Sequence, residues 1–296
     1  MIIKRLAIIG VGLIGGSLAR ALKAEGMVDE IIGVGHDAAE LDLALDLGVI
    51  DRSETSPARA ACGADMIVLA TPVGSMPLVF EAITPSLSRD VVVTDVGSVK
   101  EVLITAARSA LGAHFPRYVP GHPIAGAEQS GVRASRPDLF TGRRAVLTPV
   151  ADTEPAAVEQ VTRLWQTVGA TVSTLDPRQH DEILALTSHL PHLLAFSAVG
   201  LLGDHDDGHL PEGASLLDFA GTGFCDFTRI AASDPAMWRD ICLNNPRALI
   251  QVIAAYRDRL DILSRALAEG DQERLFEIFA RAKRLRANYP DCADRS

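Results

Sequence analysis

The stretch GHPIAGAEQSG, residues 121–131, places His122 between a glycine and a proline and carries Glu128 six residues later. Gly121, Gly126 and Gly131 relax the backbone, and Pro123 biases His122 towards an extended conformation. The spacing therefore predicts an irregular loop holding an imidazole and a carboxylate, groups able to move a proton. Loops placed by a rigid scaffold are where catalytic groups concentrate. Taken alone, the stretch serves equally well as a turn with an incidental surface histidine.

A second cluster stands near the N-terminus. Gly10-Val11-Gly12-Leu13-Ile14-Gly15 follows a predicted strand and opens a predicted helix, and this context lifts GxGxxG above a chance match. The first glycine allows the tight turn, and the second lets a pyrophosphate approach the backbone. The third lets helix and strand pack closely, with the helix N-terminus facing the phosphates. Thr71 and Pro72 close a later apolar run and are expected at the same cofactor edge. An NAD-preferring site carries Asp or Glu at the end of the second strand, about 20 residues past the glycines. Here that place holds Gly35-His36-Asp37. With Gly35 at the acidic position nothing repels a 2′-phosphate, and His36 could bond to it. With Asp37 reaching the ribose, NAD is preferred. The expectation leans slightly to NADP or dual use.

The third cluster lies further on. Ser98 follows a strand end in DVGSVK, on the edge where open sheets bind ligands. TSHLPHLLAF sets His189 and His192 three apart, on one face if helical. His180, nine residues before His189, joins that face only if the helix bends. DFTRIAASDPAMWRD contributes Asp226, Arg229 and Trp238. A metal site from His189 and His192 lacks partners at defined spacing, and His205, Asp206, Asp207 and His209 read as a polar surface loop. No metal is expected.

The elements that must position these residues divide in two. Apolar runs such as RLAIIG, EIIGVG, DMIVLATP, VVVTDVGS, YVPGHP and RAVLTP alternate with helical stretches, implying a mainly parallel, Rossmann-type doubly wound sheet. From about Asp176 every segment reads as helix. The predicted architecture is an α/β dinucleotide-binding domain, residues 1–176, followed by an all-helical substrate and dimerisation domain, residues 177–296. RALIQVIAAYRDRLDILSRAL is apolar on more than one face, more than one domain would bury alone.

Composition narrows the partners. In 296 residues, 48% hydrophobic, 28 basic against 38 acidic side chains leave a net charge of −10, which argues against nucleic acid or an anionic membrane surface. No apolar run comes near the roughly 18 to 20 residues of a membrane span. The glycine-interrupted N-terminus lacks a signal-peptide cleavage pattern. Cys62, Cys225, Cys242 and Cys292 are scattered without a CxxC pair, as expected of a cytoplasmic protein with free thiols.

Taken together, VGLIGGSLARAL, TDVGSVK, GHPIAGAEQSG, LFTGRRAVLTP, SHLPHLLAF and DFTRIAASDPAMWRDI resemble, in order, the prephenate/arogenate (cyclohexadienyl) dehydrogenase family of tyrosine biosynthesis, from about residue 5 to about residue 260. The resemblance implies oxidative decarboxylation of prephenate or arogenate with hydride transfer to NAD or NADP. It assigns His122 as the catalytic histidine and Ser98 as the serine that orients it and the substrate hydroxyl. It makes Arg229 the binder of a substrate carboxylate, and His180, His189 and His192 polar residues lining the pocket. Glu128 and Asp226 become carboxylates near the pocket mouth. Lys100 is expected to be a solvated helix residue, and Trp238 to pack beside Arg229. The family forms dimers through its C-terminal helices, and the same is expected here. The chain has no evident room for an added mutase or regulatory segment, so tyrosine feedback would act through the active site. Gly35 and Ala127 depart from relatives and leave NAD against NADP, and prephenate against arogenate, open. Two rivals are a nicotinamide dehydrogenase of the 3-hydroxyacid type, which typically relies on a lysine in its helical domain, and a non-catalytic NAD(P)-binding sensor.

Overall fold

In the strand Ile3–Ile9 (β1), Leu6 and Ile8 join one hydrophobic core while Ala7 and Ile9 join another. Both faces are buried, which is why the strand reads as a continuous apolar run. The same alternation recurs in β2 (Val28–Val34), where Ile31 and Ile32 face opposite cores, and in β4 (Met66–Leu69), where Met66 and Val68 oppose Ile67 and Leu69. The remaining strands are β3 (Arg52–Glu54), β5 (Val92–Asp95), β6 (Tyr118–Val119), β7 (Gly121–Ile124), β8 (Arg144–Leu147) and β9 (Thr171–Thr174). The helices are α1 (Leu13–Ala24), α2 (Ala38–Asp46), α3 (Pro57–Ala61), α4 (Met76–Ile83), α5 (Glu101–Leu111), α6 (Pro155–Thr167), α7 (Pro177–Leu184), α8 (Leu190–Gly203), α9 (Thr222–Thr228), α10 (Pro235–Asn244), α11 (Pro246–Glu269) and α12 (Gln272–Ala287). This computed structural model describes residues 2–127, 129–204 and 214–288. Glu128, together with His205, Asp206, Asp207, His209 and Cys292, lies outside the described residues.

The main sheet has six parallel strands in the order β3-β2-β1-β4-β5-β6. The chain winds outward from β1 to β3 and returns on the other side at β4, so the order reverses between β1 and β4. Open α/β sheets bind ligands in the crevice at that reversal, beyond the carboxyl ends of the strands. The YVPGHP run does not continue this sheet as one strand. Pro120 supplies no N–H, and β7 pairs antiparallel with β8 in a separate three-stranded sheet, β7-β8-β9. His122 thereby stands opposite Val146.

By internal contacts the chain forms two units, Met1–Asn245 and Pro246–Ser296. The first holds both sheets and α1 to α10. The second is built on the helices α11 and α12, which contact each other. Ile250, Leu260 and Leu267 of α11 and Phe276 and Phe279 of α12 are exposed.

One expectation needs correction. Pro177–Gly203 runs as a single helical stretch of 27 residues, long and apolar enough by length and composition to cross a membrane. The sequence hides this because polar His180, Asp181, Ser188 and His189 interrupt the apolar run, yet His180, Asp181 and His189 are buried within the protein. Helix and site are continuous here. A π-turn, Ala185–His189, joins α7 to α8 and shifts the phase of the helix between His180 and His189.

Candidate active site

The glycine loop is shaped for a close ligand. Gly10 has φ +103°, and a Cβ there would stand 2.5 Å from the carbonyl oxygen of Ala70. A Cβ on Gly15 would meet the Gly10 carbonyl oxygen at 2.1 Å, whereas one on Gly12 would meet nothing within 4 Å. Two glycines are thus required by packing, and the third faces open space. Gly12 caps α1 with no side chain, and no acidic residue occupies the first turn, where Leu13 and Ile14 begin the helix. The first N–H groups of such a helix have no internal acceptor and present a partial positive charge. Across the crevice, Thr71 Oγ1 is buried without a hydrogen-bond partner, and Pro72 leads into the turn Val73–Ser75. Open backbone, free N–H groups and an orphaned hydroxyl fit a dinucleotide pyrophosphate.

At the end of β2, Gly35 is half-buried, and a Cβ there would touch Leu41 at 3.3 Å. His36 is exposed. Asp37 is the N-cap of α2 and accepts from the N–H groups of Ala39 at 2.9 Å and Glu40 at 3.4 Å. No acidic side chain therefore stands at position 35, and the Asp37 carboxylate already serves the helix start.

His122 is buried on β7, beside the sheet edge that carries this loop. Its Nδ1 lies 2.9 Å from Nε2 of His180, and Nδ1 of His180 lies 2.8 Å from Oδ1 of Asp181. Asp181 also accepts from the backbone N–H of Lys100 at 2.8 Å and of Glu101 at 2.9 Å, capping α5 from a neighbouring helix. The Asn245 side chain donates to the Asp181 carbonyl at 2.9 Å. Burial, with His180, Lys100 and His189 nearby, holds the His122 imidazole well below 6.5. Burial likewise lowers His180, against the pull of Asp181. Both rings are neutral at pH 7.

Lys100 is not a solvated helix residue. It is fully buried, its ammonium pairs with Asp95, and it donates to the Gly121 carbonyl oxygen at 2.7 Å. The Asp95 carboxylate also accepts from Gly97 N–H at 2.7 Å, Tyr118 hydroxyl at 2.6 Å and Gly121 N–H at 3.3 Å. Desolvation lowers Lys100 and raises Tyr118 well above its ordinary value. Asp95, Lys100, Tyr118 and Asp181 are site-supporting residues that motif reading missed. The one signal available was an Asp five residues before a Lys at the end of a buried strand.

Ser98 lies half-buried in the loop after β5 and makes no hydrogen bond to His122 among the described residues. The Nδ1 contact belongs to His180 instead. His180 is accordingly sealed behind His122, with no exposed surface to line a pocket. His189 and His192 both meet Trp238, edge-on at 6.1 Å and stacked at 3.7 Å respectively. Trp238 is thus buried against histidine rings. His192 donates from Nδ1 to the Ser188 carbonyl oxygen at 2.9 Å. Burial lowers its pKa, and the positive charge of Arg229 adds to the effect, which places Arg229 near His192. His189 Nε2 is buried with no partner, and burial pushes the ring down to about 4. Arg229 ends α9 and is exposed, as is Asp226 one turn earlier.

Residues 18–174 match the family model for the nucleotide-binding domain of prephenate dehydrogenase, and residues 176–281 that for its dimerization domain. The chain is 35% identical over 287 residues to the cyclohexadienyl dehydrogenase of Zymomonas mobilis, covering 96% of each. It superposes on the prephenate dehydrogenase of Aquifex aeolicus, solved with hydroxyphenyl propionate and NAD+, with TM-score 0.90 and 36% identity, over 97% of this chain and 98% of that one. Against the arogenate dehydrogenase of Synechocystis the TM-score is 0.80 at 26% identity, covering 97% of this chain and 100% of that one. The 3-hydroxyacid and sensor readings gain no support from these relatives. With a dinucleotide cradle, a buried neutral histidine pair and both domain matches in sequence order, the chain belongs to the prephenate dehydrogenase family.

Proposed function

We propose that this chain oxidises prephenate, arogenate or both at the ring alcohol, with loss of CO2 and transfer of hydride to NAD or NADP. The observation that carries the reading is His122, buried, neutral and held through Nδ1, which leaves Nε2 as the nitrogen without a protein partner among the described residues. Nε2 accepts the hydroxyl proton as carbonyl character develops on the ring. The bound dinucleotide supplies the hydride acceptor. Loss of the ring carboxylate then yields an aromatic ring, which supplies the driving force. The protein's task is to position the ring and take one proton.

Gly10, Gly12, Leu13, Ile14, Gly15, Thr71 and Pro72 hold the dinucleotide, with residues 35–37 at its ribose. Gly35 offers no carboxylate and Asp37 caps α2 through Oδ1 alone, so the cofactor is NAD or NADP, with a slight lean to NADP or dual use. Arg229 pairs with a substrate carboxylate, for which a guanidinium fork is suited. His189, with its unpartnered Nε2, and His192 line the ring site, Ser98 approaches the substrate hydroxyl, and Asp226 stands at the mouth. Residues 1–176 serve the cofactor, and residues 177–296 the substrate and a homodimer. Exposed apolar side chains on α11 and α12, within the matched dimerization region, support the dimer. Cys62, Cys225 and Cys242 are free, in keeping with a cytoplasmic enzyme.

A two-by-two initial-rate assay tests the reading: prephenate or arogenate, each with NAD or NADP, following reduced nicotinamide. A rate in any cell sustains it, and the pattern assigns substrate and cofactor. No rate in all four, with folded dimeric protein, overturns it.

A further inference from the structure

We propose that Asp181, acting through His180, fixes the tautomer of His122, so that Nδ1 carries the proton and Nε2 is the basic atom. The inference rests on the reading of His122 as the base, but its geometry is independent of substrate.

Donors and acceptors along the chain of contacts fix where each hydrogen sits. An ionised carboxylate only accepts. Asp181 Oδ1 lies 2.8 Å from His180 Nδ1, so that nitrogen carries the hydrogen. His180 is fully buried and neutral, so its other nitrogen, Nε2, has a lone pair and no hydrogen. Nε2 of His180 faces Nδ1 of His122 at 2.9 Å, and one of the two must donate. Only His122 Nδ1–H can. A neutral imidazole with hydrogen on Nδ1 has its lone pair on Nε2.

The chain has its own anchor. Asp181 is held by the N–H groups at the start of α5, from Lys100 and Glu101, and its carbonyl by Asn245. These contacts hold the carboxylate in place against His180. His180 and Asp181 therefore act as positioning residues, in the manner of an aspartate that holds the tautomer of a catalytic histidine. When His122 accepts a proton at Nε2, its Nδ1–H still points at His180, whose ring stands between the new positive charge and the Asp181 carboxylate. The charged and titratable groups around the pair are Asp181, Lys100, Asp95 and His189. Lys100 and His189 oppose protonation of His122, and Asp181 and Asp95 favour it on His180.

The test is 15N NMR of the histidine-labelled full-length protein, with His122 assigned by loss of its signal in His122→Asn. Two-bond couplings to the ring carbons' hydrogens identify the protonated nitrogen. The expected result is Nδ1–H for His122. An Nε2–H ring in the wild type overturns the proposal even if His122→Asn is inactive. If His122→Asn is fully active while the tautomer is as stated, the catalytic reading fails and the tautomer assignment stands.

Variants give the second readout. Asp181→Ala removes the acceptor of the His180 Nδ1–H, so the hydrogen positions on His180 and His122 are no longer fixed. We expect kcat to fall by roughly tenfold or more, with dinucleotide affinity within about twofold of wild type. His180→Phe removes the acceptor and should lower kcat similarly. His180→Gln, whose amide oxygen can accept from His122, should retain more kcat than His180→Phe and restore the Nδ1–H form. Unchanged kcat and an unchanged pH profile in His180→Phe would overturn the proposal.

Discussion

Lys100 holds Gly121 by its carbonyl oxygen at 2.7 Å, while Asp95, the partner of that ammonium, accepts from the Gly121 N–H at 3.3 Å. The residue immediately before His122 is gripped on both backbone groups by one buried ion pair. A Cβ at Gly121 would approach the Asp95 carbonyl oxygen at 2.9 Å, so the grip also requires glycine. Removing one partner of a buried pair leaves an uncompensated charge and costs about 3–5 kcal/mol. Lys100→Met should therefore lower stability by about that amount in urea denaturation. Adding Asp95→Asn to that variant removes the stranded charge and should recover part of the loss. Wild-type stability in Lys100→Met would mean that the pair does not hold the strand.

The glycine loop separates packing from binding. Gly12→Ala places its Cβ in open space at φ −97°, so the fold should be kept with a wild-type melting temperature. The methyl group then occupies the path of the pyrophosphate, and dinucleotide affinity should fall about 10- to 100-fold, some 1.4–2.8 kcal/mol. Gly10→Ala, at φ +103° and 2.5 Å from Ala70, should lower both melting temperature and affinity. Calorimetric titration of the two variants distinguishes these outcomes, and tight binding by Gly12→Ala would move the cofactor elsewhere.

His122→Asn removes the proposed base. General-base catalysis contributes about 10²- to 10⁴-fold, and kcat should fall within that range while the dinucleotide dissociation constant is unchanged. In the wild type the neutral ring is the active form and burial lowers its pKa, so the acid limb of kcat/KM should lie below pH 6.5. An acid limb at or above that value would contradict the burial.

Stability should also respond to acid. Unfolded His189 takes up a proton near pH 6.5, whereas the folded ring resists it down to about 4. The unfolded state thus binds more protons in that window, and stability falls as pH falls from 6.5 to about 4, by on the order of 3 kcal/mol for this group. Buried His122 and His180 act in the same direction. Urea midpoints across that window should fall more steeply in the wild type than in His189→Gln, and parallel curves would remove His189 from the account.

Local pattern was enough for much of this protein. The Gly10–Gly15 loop between strand and helix, the apolar runs of β1, β2, β4 and β5, and the helical second half are short-range features, set by residue type and periodicity over a few turns. The motifs around His122, His189 and Arg229 carried the family in the same way, because each is contiguous in the chain.

What joins residues distant in sequence was decided by the tertiary structure. Pro120 could be read as a strand end, but not that His122 would leave the main sheet and pair with Val146 in another. Lys100 looks solvated in its sequence context, since nothing within a few residues announces that Asp95 and the Gly121 carbonyl will enclose it. His180 reads as one more polar helix residue. Its role depends on Asp181 beside it, on His122 fifty-eight positions earlier, and on α5 being capped by a carboxylate eighty residues away. Periodicity reports which side of an element is buried, whereas donor and acceptor partners are fixed only when separate elements pack and each buried polar group must find its match.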